Sequence, residues 1–284
     1  MLDFDFAIRS PNEAAPLKNP IFCGCISSYL IVVIFITVFS HYYGFRSWGI
    51  IGFVSYLVII YIVVLVGDGL VSNCLGQNIV NIKRVLDYSD STIYLITLIN
   101  LFLSQSIGYI IMVHVIQDVS FFTPYLLWDY VVIQNNYVIF FLQLLINLAG
   151  TEVLFFWSHR LLHTHPKLTH FHILHHCCTK SSYTTNVLFH PIDLLIEFGG
   201  PGLFLLGTHY TIWKKNDALL LVTYLIFQVW YAIDHDETLQ LYHVKHHTYT
   251  DSLYSVYINI KGDPKKNILK EQILSMKKKA SKSL

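Results

Sequence analysis

Apolar positions along this chain come in long unbroken runs, not in the alternation of a sheet or the stripe of a surface helix. Four runs, residues 21–43, 48–66, 93–116 and 137–157, contain no Lys or Arg. Each approaches or exceeds the roughly 20 residues that cross the hydrocarbon core as a helix. They are rich in Ile, Val, Phe and Tyr, which in water favour strands. Length and the lack of period-two alternation override that preference, because a backbone in lipid must satisfy its own hydrogen bonds. Two further stretches, residues 187–207 and 217–233, are interrupted by His190, Pro191, Asp193 and Glu197, or are short. They read as a re-entrant or interfacial helical pair, with Lys214 and Lys215 at its tip. That arrangement keeps the polar clusters on either side of the pair in one compartment. The pattern thus predicts an all-α integral membrane protein with about four transmembrane helices plus this pair. Its units are an N-terminal tail (1–20), a transmembrane scaffold (21–143), a histidine-rich unit (144–264) and a basic C-terminal tail (265–284).

Charge orients the prediction. Arg9 and Lys18 precede the first run, Lys83 and Arg84 separate the second from the third, and Arg160, Lys167 and Lys180 follow the fourth. The connection 117–136 has neither Lys nor Arg, so the positive-inside rule places both ends of the four-span unit in the cytoplasm. Arg46 is the one dissenting charge. The first run begins too far in, and without a small-residue cleavage site, for a signal peptide, so an uncleaved anchor is expected. The lysines of the C-terminal stretch suit an anionic cytoplasmic leaflet.

Composition agrees with the pattern. The chain has 284 residues, 54% hydrophobic and 13% charged, against about a quarter charged in a soluble domain. The net charge of +1 excludes a global field for nucleic acid or an anionic substrate. The five cysteines include the close pairs Cys23–Cys25 and Cys177–Cys178, too near in sequence for a disulfide framework. They read as small buried hydrophobes in a reducing compartment.

The chemistry is carried by histidine. Of the 15 histidines, all but His41 and His114 lie between His159 and His247. Three groups are tight: His159-Arg-Leu-Leu-His163, His172-Ile-Leu-His175-His176 and His243-Val-Lys-His246-His247. Helical residues three and four apart share a face, so each group projects its imidazoles together. One tetrahedral metal takes four ligands at most, so eight imidazoles suggest two metals. Such a run of protonated imidazoles would repel itself, which favours neutral, metal-bound rings. Imidazole suits Zn, Cu, Fe and Ni alike. A zinc hydrolase would be expected to carry a general-base Glu beside its ligands, as in His-Glu-x-x-His, and none of the groups has one. Apolar substrates in a bilayer offer C–H bonds more than hydrolysable ones, and C–H activation calls for O₂ and a redox metal. That favours iron.

The order HxxxH, HxxHH and, after a hydrophobic hairpin, HxxHH resembles the fatty acid hydroxylase/sterol desaturase superfamily of non-haem di-iron membrane enzymes. The likeness covers about residues 144–264. Phe156-Trp-Ser-His-Arg-Leu-Leu-His163 is similar to the family's first box, Phe189-His-Pro-Ile-Asp193 to its His-Pro-x-Glu element, and Asp234-His235 to the lone histidine before the last box. The resemblance implies that His159, His163, His172, His175, His176, His243, His246 and His247 ligate two irons, with O₂ as co-substrate and zinc as an adventitious substitute. It implies further ligation or close support from His190 and His235. Asp193, Asp234 and Asp236 are candidate partners behind the imidazoles. Also implied are a sterol or acyl-chain substrate, hydroxylation or desaturation, a multi-pass place in the endoplasmic reticulum membrane, and an external electron donor such as a b-type cytochrome and its reductase. The chain departs from the family at Asp193, where Glu is commoner, at Tyr231, where some hydroxylases have a histidine, and at Ser252-Leu253-Tyr254 in place of Asn-Tyr-Gly. His165, His170 and His209 match no ligand position and are expected at the polar surface or interface. A histidine-rich membrane metal transporter is the competing class, disfavoured because transport sites sit near the bilayer midplane.

Overall fold

The computed structural model describes residues 88–110, 137–177, 188–213, 216–234, 254–255 and 267–280, together with residues 51, 54, 55, 58, 82, 83, 86, 243, 246 and 247. Among them are six helices and no strand: α1 (Asp90–Ile110), α2 (Tyr137–Thr164), α3 (Thr169–His176), α4 (Pro191–Thr211), α5 (Asp217–Asp234) and α6 (Ile268–Ala280). The described part is therefore all-helical, as expected. The run 21–43, most of 48–66, and His235 and Asp236 lie outside the described residues. α2 is long and apolar enough to cross a membrane by length and composition.

α2 is the central element, packed against α3, α4, α5 and α6. Its buried positions, Phe140, Leu144, Asn147, Thr151, Phe155, His159 and His163, recur at the spacing of one helix face. That face becomes polar toward its C-terminal end. The outward face is the apolar one: Ile139, Phe141, Leu142, Leu145, Ile146, Val153 and Trp157 are all exposed. α1 has the same inverted pattern, with Thr97 and Asn100 buried while Leu95, Leu98 and Phe102 face out.

The helix starts are chemically specified. Ser89 Oγ accepts from Thr92 N–H at 3.2 Å, Asn216 Oδ1 from Leu219 N–H at 3.1 Å, and Asn267 Oδ1 from Lys270 N–H at 3.1 Å. At α4 the residue before Pro191 is forced to be extended, and His190 has φ −69° and ψ 139°. Its Nδ1 accepts from Ile192 N–H at 3.2 Å, while Pro191 occupies the first helical position, where a missing N–H costs nothing.

Three apolar clusters hold the bundle. At one end Phe140 and Leu144 of α2 meet Leu205 of α4 and Leu219, Leu220 and Leu221 of α5. There Asn147 is satisfied by Trp213 Nε1–H at 2.9 Å and by its own donation to Thr223 Oγ1 at 3.4 Å. The second cluster, Phe155, Phe189, Leu194, Phe227 and Tyr231, lies against the histidines. The third joins Ile82 and Ile93 to Ile173, Leu174 and Cys177 around α3 and to Leu269 and Ile273 of α6. The stretch expected to be a basic tail thus contains a helix with a buried apolar face.

Candidate metal centre

The eight box histidines converge. All are buried, at 2% exposure or less. His159, His163, His172, His176 and His246 offer ligand atoms lying within 4.8 Å of one another, and His175, His243 and His247 form a second such group. His159 and His163 sit in the last two turns of α2, and His172, His175 and His176 on the short α3.

The division between the groups follows helix geometry. Each pair four residues apart stays together: His159 with His163, His172 with His176, His243 with His247. The remaining histidine of each later box crosses over. His175 joins His243 and His247, and His246 joins the pairs from α2 and α3.

Ligand direction can be read from the outward ring nitrogens. His172 Nδ1 lies 2.9 and 3.0 Å from the two carboxylate oxygens of Asp193, so Nδ1–H donates and Nε2 carries the lone pair. That buried Nε2 has no hydrogen-bond partner. His163 Nδ1 lies 3.3 Å from Asn267 Oδ1, the same oxygen that accepts from Lys270 N–H, so this ring also donates outward. Its Nε2 then faces Nε2 of His159, His176 and His246 at 3.2, 3.1 and 3.0 Å. Ring nitrogens gathered at these distances could serve as ligands to one shared cation. At a metal–nitrogen distance of about 2.1 Å, perpendicular ligands lie about 3.0 Å apart and tetrahedral ones about 3.4 Å. The observed 3.0–3.2 Å falls within this range, and the group offers one candidate ligand more than a tetrahedral site takes.

The charge of the surroundings fits the same conclusion. Glu152, Asp193 and Glu197 are buried, at 3%, 0% and 0% exposure. Among the described residues no Lys or Arg is buried with them. Burial, and then its neighbours His247, His172 and His246, hold His176 well below the ordinary imidazole range, so that ring adds no charge to the site. A cation held by the histidines would place positive charge close to Asp193.

Glu197, noted in the sequence only as an interruption of an apolar run, has its carboxyl 3.7 Å from His159 Nδ1. Its placement has a backbone cause. Pro201 lies inside α4 and lacks the N–H that would bond the Glu197 carbonyl one turn earlier. Ser158 Oγ, on α2 beside His159, donates to Phe155 O of its own helix at 3.0 Å and lies 3.4 Å from that carbonyl. The proline, the serine and the glutamate thereby join α4 to the box on α2.

The other expected residues are placed as follows. His190 caps α4, with its ring 4.5 Å from Phe171, and lies outside both histidine groups. Burial lowers its pKa, partly offset by Asp193. The Asp234 side chain is not among those described. His165 and His170 are exposed, as expected. His209 is instead buried, with Nε2 3.3 Å from Oδ1 of Asp217 at the start of α5. Sequence reasoning missed Asn267 and Tyr254. The Tyr254 ring packs 4.9 Å from His163, 5.7 Å from His159 and 5.8 Å from His246. An Asn three residues before a helical N–H signals a cap, but nothing local tells that its oxygen is shared.

No family model, curated protein or solved structure matches this chain.

Proposed function

We propose that the chain is a membrane-embedded, histidine-ligated di-iron oxygenase that hydroxylates or desaturates a lipid, a sterol in the first instance. The observation that carries this reading is the convergence of eight buried histidines into two adjoining groups, backed by Asp193, Glu197 and Asn267. The five-histidine group would hold one iron and the three-histidine group the other. When bound, the irons supply the O₂ chemistry needed to oxidise an unactivated C–H bond. Asp193 and Asn267 fix the rings of His172 and His163 with Nε2 inward, and Glu197 stands behind His159. The aromatic layer of Phe155, Phe189, Phe198 and Tyr231 keeps water from this side of the histidines and is compatible with an apolar substrate.

The membrane setting rests on the inverted surface of α2. Only 33% of its most apolar window is buried, whereas the core helix of a soluble protein is mostly buried. An apolar exterior over a polar interior is the arrangement that lipid favours. Residence in the endoplasmic reticulum and electron delivery by a b-type cytochrome belong to the same proposal and rest on the family resemblance, and a cytoplasmic site rests on the charge distribution.

The test is metal analysis of detergent-purified protein handled without oxygen, beside a His175→Ala/His176→Ala variant that takes one ligand from each group. About two irons per chain are expected in the wild type and at most one, weakly held, in the variant. Lipid extracts of expressing cells should then gain an oxidised sterol or acyl species that the variant does not produce. A folded wild type that binds no metal overturns the centre. Two tightly held zincs, with no O₂ consumption after Fe(II) reconstitution in the presence of reductant, overturn the oxygenase and keep the centre.

A further inference from the structure

The C-terminal helix is tied to the histidine cluster by two independent contacts. The first is the Asn267 side-chain oxygen, which accepts from Lys270 N–H to cap α6 and from His163 Nδ1–H to orient a ligand ring. The second is apolar. Leu269 and Ile273, at 0% and 4% exposure, pack with Ile173, Leu174 and Cys177. Those residues are interleaved with His172, His175 and His176 on α3, so the short helix has histidines directed to the cluster and aliphatic side chains against α6. An eight-residue helix without a side-chain cap of its own depends on such packing.

We propose that α6 is a clamp on the metal centre: its docking and metal loading are thermodynamically coupled, with Asn267 as the positioning residue that carries part of the coupling. This rests on the metal-centre reading above and adds a regulatory element to it. A bound metal fixes His163 with Nε2 inward, which presents Nδ1–H to Asn267 and favours the docked, capped helix. A docked helix in turn holds His163 and α3 in the ligating arrangement. Coupling of this kind is reciprocal: whatever factor metal contributes to docking, docking contributes to metal affinity.

The test compares wild type with Asn267→Asp, Asn267→Ser and Asn267→Ala in the full chain. Metal affinity is read by competition with a chromogenic chelator, using Fe(II) or Co(II) as the probe. Docking is read from amide hydrogen exchange in residues 268–280, with residues 217–225 of α5, in a separate apolar cluster, as the internal control. In wild type, metal should slow exchange of the α6 amides at least tenfold over the chelated protein, with α5 changed far less. Asp retains both the cap and an acceptor for His163 and should resemble wild type. Ser is a good cap but too short to reach the ring. It should keep the α6 protection of the metal-free state while weakening metal binding about 10- to 100-fold, the usual effect of losing a partner behind a ligand. Ala should lose both, with exchange at the start of α6 about fivefold faster. Ser matching wild type in metal affinity, or α6 exchange indifferent to metal in a protein that binds two metals, overturns the coupling alone. A folded wild type that binds no metal overturns the centre, and the clamp with it.

Discussion

Asn267 and His190 show how one polar side chain can serve two elements or only one. Asn267 Oδ1 caps a helix and accepts from a ligand ring, whereas His190 Nδ1 serves only as the cap of α4. The His-Pro element therefore has a structural explanation that needs no metal. It also has a pH signature. The cap requires a neutral His190, whose folded-state pKa is depressed by burial, so the unfolded chain binds the extra proton more readily. Stability from this group is present above its unfolded pKa of about 6.5 and declines as pH falls below it. Replacing His190 by Asn, a strong cap that does not titrate, should keep the metal content and flatten thermal stability between pH 7 and 5. Replacement by Ala should cost about 1 kcal/mol at pH 7. A His190→Asn protein that loses iron would instead show the ring to be a ligand.

The division of ligands gives a second residue-scale prediction. His176 belongs to the five-membered group and His243 to the three-membered one. His243→Ala should therefore leave about one iron per chain, with the spectroscopic signature of the remaining site. His176→Ala should weaken the other site, which keeps four histidines. Anomalous scattering or Mössbauer spectroscopy would separate the two. Identical losses from both variants would mean that the groups are not distinct sites.

At the scale of elements, the seam between α2 and α4 positions the first box. Gly150 makes it possible. A Cβ there would come within 2.3 Å of the Phe204 ring edge, so the helices meet where only hydrogen fits without moving that ring. Gly150→Leu should destabilise the bundle by about 1–3 kcal/mol, the range for overpacking, and be seen as a lower unfolding temperature in detergent. Gly202, whose added Cβ would meet nothing within 4 Å, is the matched control, and Gly202→Ala should be near neutral. Further along the seam, the carbonyl left by Pro201 lies 3.4 Å from Ser158 Oγ, which also bonds Phe155 O at 3.0 Å. Proline inside α4 thus frees a carbonyl that faces α2 next to His159.

For the molecule as a whole, the metal is expected to be part of the fold. The centre draws ligands or supports from α2, α3, α4, the 243–247 segment and the start of α6, so cations bound there link elements far apart in sequence. A ligand held at about 1,000 times its dissociation constant stabilises the folded state by about 4 kcal/mol. Chelation should accordingly lower the unfolding temperature by about 10 °C, and Fe(II) should restore it. An unchanged unfolding temperature after verified metal removal would mean that the bundle holds the histidines together unaided.

What the sequence determined by itself is what short-range geometry controls. The spacings of three and four residues put each box on one helix face, the apolar runs marked α1, α2, α4 and α5, and His-Pro marked the start of α4. These follow from backbone periodicity and proline stereochemistry, which act within one or two turns. Asp193 was readable as a partner for the same reason, lying in the first turn after that proline. Only the tertiary structure decided which box shares with which. The exchange of His175 and His246 between groups depends on how α3 and the 243–247 segment pack against α2, and no local spacing encodes that. The roles of Glu197, Ser158 and Asn267 were hidden for the same reason. A glutamate in an apolar run, a serine before a histidine and an asparagine at a helix start are each ordinary. They acquire function through contacts that close across 39 residues for Ser158 with Glu197 and 104 for His163 with Asn267.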